Sequence, residues 1–347
     1  MAGLSVRKTL SPFLIIFIIA ISLAGCGGGQ RSDLPPSSTG TITVVDMADR
    51  EVTIPENVES VALVYGVVTS YIVALGKADK ITAVGWTTDF FKMAHPVFET
   101  VGTVGTGQVD LEALARLNPD LFIHRASDIK TLDAVKELGI PSMGVMAETQ
   151  DDITAMLTLL GKVLGAGDRA EELIEYYDRM LDKVRDLSRD IPAEKRKSVV
   201  VMGSRIGSVA NGDMLQSFMI ETAGGINSAK EVASVEIWPV VGTETIFDWN
   251  PDFIFISNSR NPGYNAETLT ADPAWANMTA VKEKQVYLVP SEKDSWEFPG
   301  VSNALGSLWM LSVMYPDKFG KEQIDAEARE FYKKVYNLDV TQEFLGY

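Results

Sequence analysis

The chain contains an internal repeat, which constrains its fold more than any other feature of the sequence. The segments VDLEALARLNPDLFIHR (109–125) and VGTETIFDWNPDFIFIS (241–257) align without a gap, with Glu112 opposite Glu244 and Asn-Pro-Asp at the same place in both. Each predicts a short helix, a proline-marked turn and a strand. The separation is too long for a solenoid period and suits two similar lobes joined once. Two unrelated units that share a common Asn-Pro-Asp turn are the alternative.

Around the first copy, short β-rich runs alternate with helical runs. The predicted strands are SVALVYG (60–66), ITAVGW (81–86), LFIHR (121–125) and SMGVM (142–146), and the helical runs TSYIVALG and TLDAVKELG both end on glycine. Strands that alternate with helices indicate an α/β fold with parallel sheets.

The middle of the chain is helical. The segment 168–191 places Leu173, Tyr177, Leu181, Val184 and Leu187 on one face, follows a second helical run at 151–165, and is ended by Pro192. The α/β pattern restarts with SVVVMGS at 198–204. We therefore predict two similar α/β lobes with central parallel sheets, joined by one long helix. The predicted parts are a signal segment (1–25), a tether (26–40), a first lobe (41–150), a helical linker (151–192) and a second lobe (193–347).

The N-terminus is typical of an exported protein. Arg7 and Lys8 precede an apolar run that is too short to span a membrane, and small residues follow it. Cys26 is the only cysteine and so has no internal disulfide partner. The run Leu-Ala-Gly-Cys resembles a bacterial lipobox, which implies cleavage before Cys26 and lipidation of its thiol. An ordinary signal peptide with an incidental cysteine is the alternative.

Composition limits the partners. The Gly-, Ser- and Pro-rich residues 27–40 are typical of a flexible tether. The chain has 47 acidic against 31 basic residues and a net charge of −16, which argues against binding nucleic acid or an anionic membrane surface through the globular part. We expect a monomer whose only contact with the membrane is its lipid anchor.

These features together resemble a known family, the lipoprotein substrate-binding components of ABC importers for metal chelates such as ferric siderophores, haem and cobalamin. The resemblance rests on the lipobox, the paired repeat, the long helix and the closing segment WEFPGVSNALGSLWMLSVMYPDKF (296–319). It implies two lobes facing each other across a ligand cleft, and delivery of a chelate to a permease dimer with its ATPase subunits. The protein would lie in the periplasm or on the outer face of the cytoplasmic membrane.

The resemblance also implies a role for the repeated glutamates. In the family, one glutamate on each lobe engages arginines of the two permease subunits, and Glu112 and Glu244 stand at this place. The alternative is that each carboxylate only stabilises the first turn of its own helix through the helix dipole.

Candidate ligand contacts follow from the rule that open α/β lobes bind ligands at the carboxyl ends of their strands. The candidates are Tyr65, Trp86, Asp89, Phe90, Gln108 and Arg125 in the first lobe, and Ser204, Arg205, Trp238, Asn258, Arg260 and Trp296 in the second. Aromatic planes suit a large flat ligand and arginines suit its carboxylates. The tryptophans could instead be core residues and the arginines solvated loop residues. Thr106 stands where cobalamin binders of the family can carry a tryptophan, which weakens the expectation of cobalamin.

Other functions have less support. His95 and His124 are far apart in the pattern and no thiol is available, so we expect no site for a bare metal ion and no resident cofactor, the chelate being cargo. No phosphate-binding loop with its lysine and no Gly-x-Ser-x-Gly elbow occurs, so we expect no enzyme. The alternative within the same fold is a small oxyanion, such as molybdate, or a free transition-metal ion. A protein that binds peptide or polysaccharide would need long exposed aromatic stripes.

Overall fold

The computed structural model describes residues 40–236, 238–257, 264–290 and 294–347. The predicted signal segment, Cys26 and nearly all of the predicted tether lie outside the described residues. In the described ranges, no helix is both long enough and apolar enough to cross a membrane.

The first sheet has five parallel strands. Its elements, in chain order after an N-terminal hairpin of β1 (Thr41–Val45) and β2 (Glu51–Pro55), are β3 (Val61–Leu63), α1 (Val67–Ala74), β4 (Ile81–Val84), α2 (Asp89–Ala94), β5 (Gly102–Thr103), α3 (Leu111–Leu117), β6 (Leu121–Arg125), α4 (Ile129–Glu137) and β7 (Ser142–Val145). The spatial order is β5-β4-β3-β6-β7. The central strands β3 and β6 are almost fully buried, as strands covered by helices on both faces should be.

The second sheet repeats this topology. Its elements are β8 (Ser198–Met202), α7 (Leu215–Thr222), β9 (Ile226–Asn227), α8 (Thr243–Trp249), β10 (Phe253–Ile256), α9 (Ala266–Ala271), α10 (Thr279–Lys282) and β11 (Val286–Leu288), in the order β9-β8-β10-β11. This matches β4-β3-β6-β7 strand for strand. The prediction of two similar α/β lobes with parallel sheets is therefore confirmed.

The two Asn-Pro-Asp turns have the same geometry. Asn118 and Asn250 end α3 and α8 in the left-handed region, with φ of 46° and 42°. Asp120 then accepts hydrogen bonds from the backbone N–H groups of Glu59 and Ser60, just before β3. In the second lobe, Asp252 accepts the backbone N–H of Ser198, the first residue of β8. Each turn thus ties its strand to the start of the neighbouring central strand.

A long helix joins the lobes. The helix α5 (Gln150–Val163) leads into α6 (Gly167–Ser188), which has 22 residues and a continuous buried face. The predicted helix covers residues 168–191. The observed α6 begins one residue earlier, at Gly167, and ends three residues earlier, at Ser188.

The C-terminal helices pack against the long helix α6 and against elements of both lobes. The helix α11 (Asn303–Met314) packs against α6 and α7, and it is followed by α12 (Lys321–Tyr336) and α13 (Gln342–Leu345). The guanidinium group of Arg169, at the start of α6, donates hydrogen bonds to the carbonyl oxygens of Ala74 in α1 and of Lys334 and Val335 in α12. Residues predicted to belong to the second lobe therefore also contact the first.

The N-terminal hairpin is fixed to the first sheet by one buried carboxylate. Asp46 accepts hydrogen bonds from the backbone N–H groups of Ala48, Arg50 and Gly144, and its carboxylate also pairs with the Arg50 guanidinium at 2.9 Å. Because Gly144 lies in β7, these bonds hold the hairpin on that strand.

Candidate ligand-binding site

The best-defined pair of candidate residues follows two adjacent strands of the first lobe. The strands β3 and β6 are paired in parallel, so Tyr65, just beyond β3, and Arg125, the last residue of β6, emerge at the same edge of the sheet. The guanidinium carbon of Arg125 lies 4.8 Å from the centroid of the Tyr65 ring. Tyr65 is buried whereas Arg125 is exposed. The ring therefore supports a cation that faces solvent.

The Tyr65 hydroxyl stays protonated near neutral pH. Burial is the main cause that raises its pKa to about 12, and the negative charge of Glu148 raises it further, against the opposing effect of Arg125. The edge of the first lobe thus offers a phenol and a cation, a combination that suits an anionic group.

Glu148 is a charged residue at this edge that the sequence analysis missed. It follows β7, and its backbone N–H donates to Asp152 Oδ2 at 3.0 Å. Partial burial raises the pKa of the Glu148 carboxyl, while the charge of Arg125 lowers it. The strand-end rule applied to the run SMGVM would have found Glu148.

The two candidate tryptophans are each partly exposed. Trp86 follows β4, and its ring centroid lies 6.2 Å from that of Phe91. Trp238 lies in the connection between β9 and α8, the topological equivalent of the connection that carries Trp86. Both pack along the edge of the hydrophobic core and keep part of their surface in solvent. Each lobe therefore supplies one indole that packs partly on the core and is partly exposed to solvent.

Phe90 and Trp296 are in the core, and their prediction as ligand contacts is wrong. Phe90 is 1% exposed and packs edge-on against Tyr336, with ring centroids 5.0 Å apart. Trp296 is fully buried, and its Nε1 donates to the Tyr332 hydroxyl at 2.8 Å. The polar and Pro/Gly-rich residues around Trp296 suggested exposure, but its side chain packs against α12.

Four other candidates are exposed at loops or in a first helical turn, namely Asp89, Gln108, Ser204 and Arg205. Their contact with a ligand stays a prediction. Asn258 and Arg260 lie outside the described residues.

The sequence also did not predict the burial of Glu297. Its carboxylate is fully buried beside Ser257, the residue that follows β10. The hydroxyls of Ser257 and Ser295 each donate to it at 2.5 Å, and Gln216 Nε2 donates to its backbone carbonyl oxygen at 3.0 Å. Glu297 thereby attaches the segment before α11 to the second sheet. Its place in the sequence, beside Trp296, gave no sign of burial.

The histidines have structural partners. His124 is buried, and its Nε2 lies 3.1 Å from Asp128 Oδ2. Burial lowers the pKa of His124, so the ring is neutral near neutral pH. His95 Nδ1 accepts the backbone N–H of Val97 at 3.2 Å. Among the described residues, no group of three or more His, Cys, Asp or Glu side chains is arranged to hold a metal ion.

The repeated glutamates occupy equivalent exposed positions. Glu112 and Glu244 lie in the first turns of α3 and α8. The Glu112 side chain is 91% exposed, and its Oε2 lies 3.7 Å from Nη1 of Arg116 on the same helix. Glu244 is also exposed. Each lobe thus presents one carboxylate on matching helices.

Two similar α/β lobes with parallel sheets, joined by one long helix, are the fold of a periplasmic solute-binding protein. The family described as "Periplasmic binding protein" matches residues 61–293, and the chain belongs to this family. A solved periplasmic solute-binding protein from Veillonella parvula is 26% identical, with a TM-score of 0.75, and the match covers 88% of this chain and 95% of that one.

Two relatives of the chain are named for different ligands. The molybdate-binding protein MolA of Haemophilus influenzae is 24% identical, over 88% of this chain and 93% of that protein. The Fe(3+)-citrate-binding protein YfmC of Bacillus subtilis is 24% identical, over 68% of this chain and 67% of that protein. One of these two relatives is thus named for an oxyanion and the other for a metal chelate.

Proposed function

We propose that this protein captures an anionic metal chelate of the siderophore, haem or cobalamin type outside the cytoplasm and delivers it to an ABC permease. The observation that carries the proposal is the Arg125 guanidinium over the Tyr65 ring, at the strand edge where ligands of α/β lobes bind. The cation can pair with a carboxylate of the chelate.

The two partly exposed tryptophans support a ligand with a large organic body. Trp86 and Trp238 come from corresponding connections of the two lobes, so each lobe supplies one partly exposed indole. Aromatic side chains contribute large apolar contact areas to binding. A bare tetrahedral oxyanion needs hydrogen-bond donors rather than such surfaces.

Molybdate or another small oxyanion is the second candidate. It is favoured by the molybdate-binding relative, which matches 88% of this chain. In that case Arg125 and the exposed Arg205 would bind the anion and the tryptophans would contribute little.

Binding and docking are separate steps in this proposal. Glu112 and Glu244, one on each lobe, would contact basic residues on the two permease subunits, and ATP would be hydrolysed by another subunit. A lipid on Cys26 would hold the protein at the membrane. Cys26→Ser is expected to release the protein into the soluble fraction, and retention of this variant at the membrane would contradict the anchor.

The test is a calorimetric titration of the purified protein with haem, cobalamin, ferric citrate and molybdate. Tight binding of one chelate and weak binding of molybdate would support the proposal. Tight binding of molybdate alone would transfer the assignment to the second candidate.

A further inference from the structure

The two partly exposed candidate tryptophans, Trp86 and Trp238, each lie against a glycine. A Cβ atom added to Gly66 would lie 2.5 Å from Cε2 and Cζ2 of Trp86, and 2.6 Å from its Nε1. A Cβ atom added to Gly203 would lie 2.8 Å from both Cε3 of Trp238 and Oγ of Ser208. Non-bonded carbon atoms pack best at about 3.5–4.0 Å. Neither indole could keep its position beside any residue larger than glycine.

Backbone conformation does not explain these glycines. Gly66 has φ −60° and ψ −22°, which any residue can adopt. Gly203 is likewise not in the positive-φ region, in contrast with Gly207 at +86°. The missing side chain therefore leaves room for the indole alone at Gly66, and for both the indole and the Ser208 hydroxyl at Gly203.

Both contacts lie just beyond a central strand, although the two glycines are not at matching positions of the repeat. Gly66 lies three residues beyond the end of β3, and Gly203 directly follows β8, the corresponding central strand of the second lobe. Both glycines therefore lie at the carboxyl edge of a central strand, where ligands of α/β lobes bind.

We infer that Gly66 and Gly203 are positioning residues that set how deeply Trp86 and Trp238 seat in the two walls of the cleft, and thus the width open to the ligand. The expected effect on ligand affinity rests on the proposed function. The expected effect on the positions of the two indoles does not. A methyl group at either glycine displaces the indole from its wall.

The direct test uses ¹⁹F NMR of the full-length chain labelled with 5-fluorotryptophan. The chain has six tryptophans, and Trp86→Phe and Trp238→Phe assign the two signals of interest. Gly66→Ala is expected to shift the Trp86 signal and Gly203→Ala the Trp238 signal, with the other signals unchanged. Gly167→Ala is the matched control, because a Cβ atom at Gly167 meets no atom within 4 Å. Unchanged signals in folded Gly66→Ala and Gly203→Ala proteins would overturn the inference.

The affinity test is a double-mutant cycle with whichever of haem, cobalamin or ferric citrate binds the unsubstituted protein. Gly66→Ala is expected to weaken binding by about tenfold, as overpacking of a fitted site does, and to have no further effect when Trp86 is already alanine. An equal loss in the Trp86→Ala background would show that Gly66 acts independently of the indole, against the inference. If none of the three chelates binds, the proposed function fails, while the ¹⁹F result still decides the positioning role.

Discussion

The Arg125 guanidinium rests on the ring of Tyr65, 4.8 Å from its centroid. The two residues come from neighbouring parallel strands, and this pairing places a solvent-facing cation on a buried aromatic ring. In the proposed function, this pair would bind one anionic group of the ligand.

Replacing Arg125 with glutamine should weaken binding of an anionic ligand by about 10- to 100-fold, because a hydrogen bond to a charged group contributes about 1.5–3 kcal/mol. Calorimetry of the folded variant checks this. Arg185→Gln, on the exposed face of α6, should leave the affinity unchanged. Unaltered binding by the Arg125 variant would mean that the ligand does not contact this edge.

Binding of an anionic ligand should tighten as the pH falls through the pKa of the Glu148 carboxyl. Partial burial raises this pKa above its ordinary value, so protonation removes a negative charge near Arg125 at a pH where most carboxylates stay charged. Glu148→Gln should bind more tightly at neutral pH and lose this dependence. A weaker Glu148→Gln complex would instead indicate that the carboxylate contacts the ligand directly.

Charge reversal of Glu112 and Glu244 should abolish uptake and leave ligand affinity intact, because both carboxylates are exposed on matching helices. Uptake of the radiolabelled ligand by cells and calorimetry of the purified variant measure the two effects. Glu175→Lys, at an exposed position on α6, is the control for added positive charge. Reduced affinity in the double variant would contradict a role confined to docking.

Asp294 should make the protein less stable at alkaline pH. Burial raises the pKa of its carboxyl from 3.8 to about 7, although the hydrogen bond from the Tyr332 hydroxyl acts in the opposite direction. Because the folded-state pKa is raised, the contribution of this group to stability is complete below about 3.8 and is lost as the pH rises to about 7.

Asp294→Asn should therefore raise the free energy of unfolding by about 2–4 kcal/mol at pH 8 and change it little at pH 4. Urea unfolding at the two pH values measures this, with Asp317→Asn as the control at an exposed position. An equal effect at both pH values would show that the carboxyl does not titrate in this range.

Local patterns in the sequence were enough to predict the lobes. The strands β3, β4, β6 and β7 all fall inside runs predicted from their β-rich composition, and the Asn-Pro-Asp turns recur because each asparagine ends a helix and each aspartate holds a strand. The hairpin of β1 and β2 was not predicted, because Asp46 stabilises it through bonds that reach Gly144, far along the chain.

The site was predicted less well, because burial there depends on distant segments. Trp296 lies in a polar, Pro/Gly-rich run, yet Tyr332 from α12 covers it and binds its indole N–H. Phe90 follows β4 closely in the sequence, yet Tyr336, which like Tyr332 belongs to α12, packs on it. Nothing near either residue in the sequence indicates that a C-terminal helix packs there.

The proposed ligand is an anionic chelate with a large organic body, bound by residues of both lobes. The most direct measurement is a tryptophan-fluorescence titration of the purified chain with haem, cobalamin, ferric citrate and molybdate, repeated with Trp86→Phe and Trp238→Phe. We predict submicromolar binding of one chelate, with a smaller fluorescence change in both variants. A response to molybdate alone, unaltered in the variants, would contradict the account.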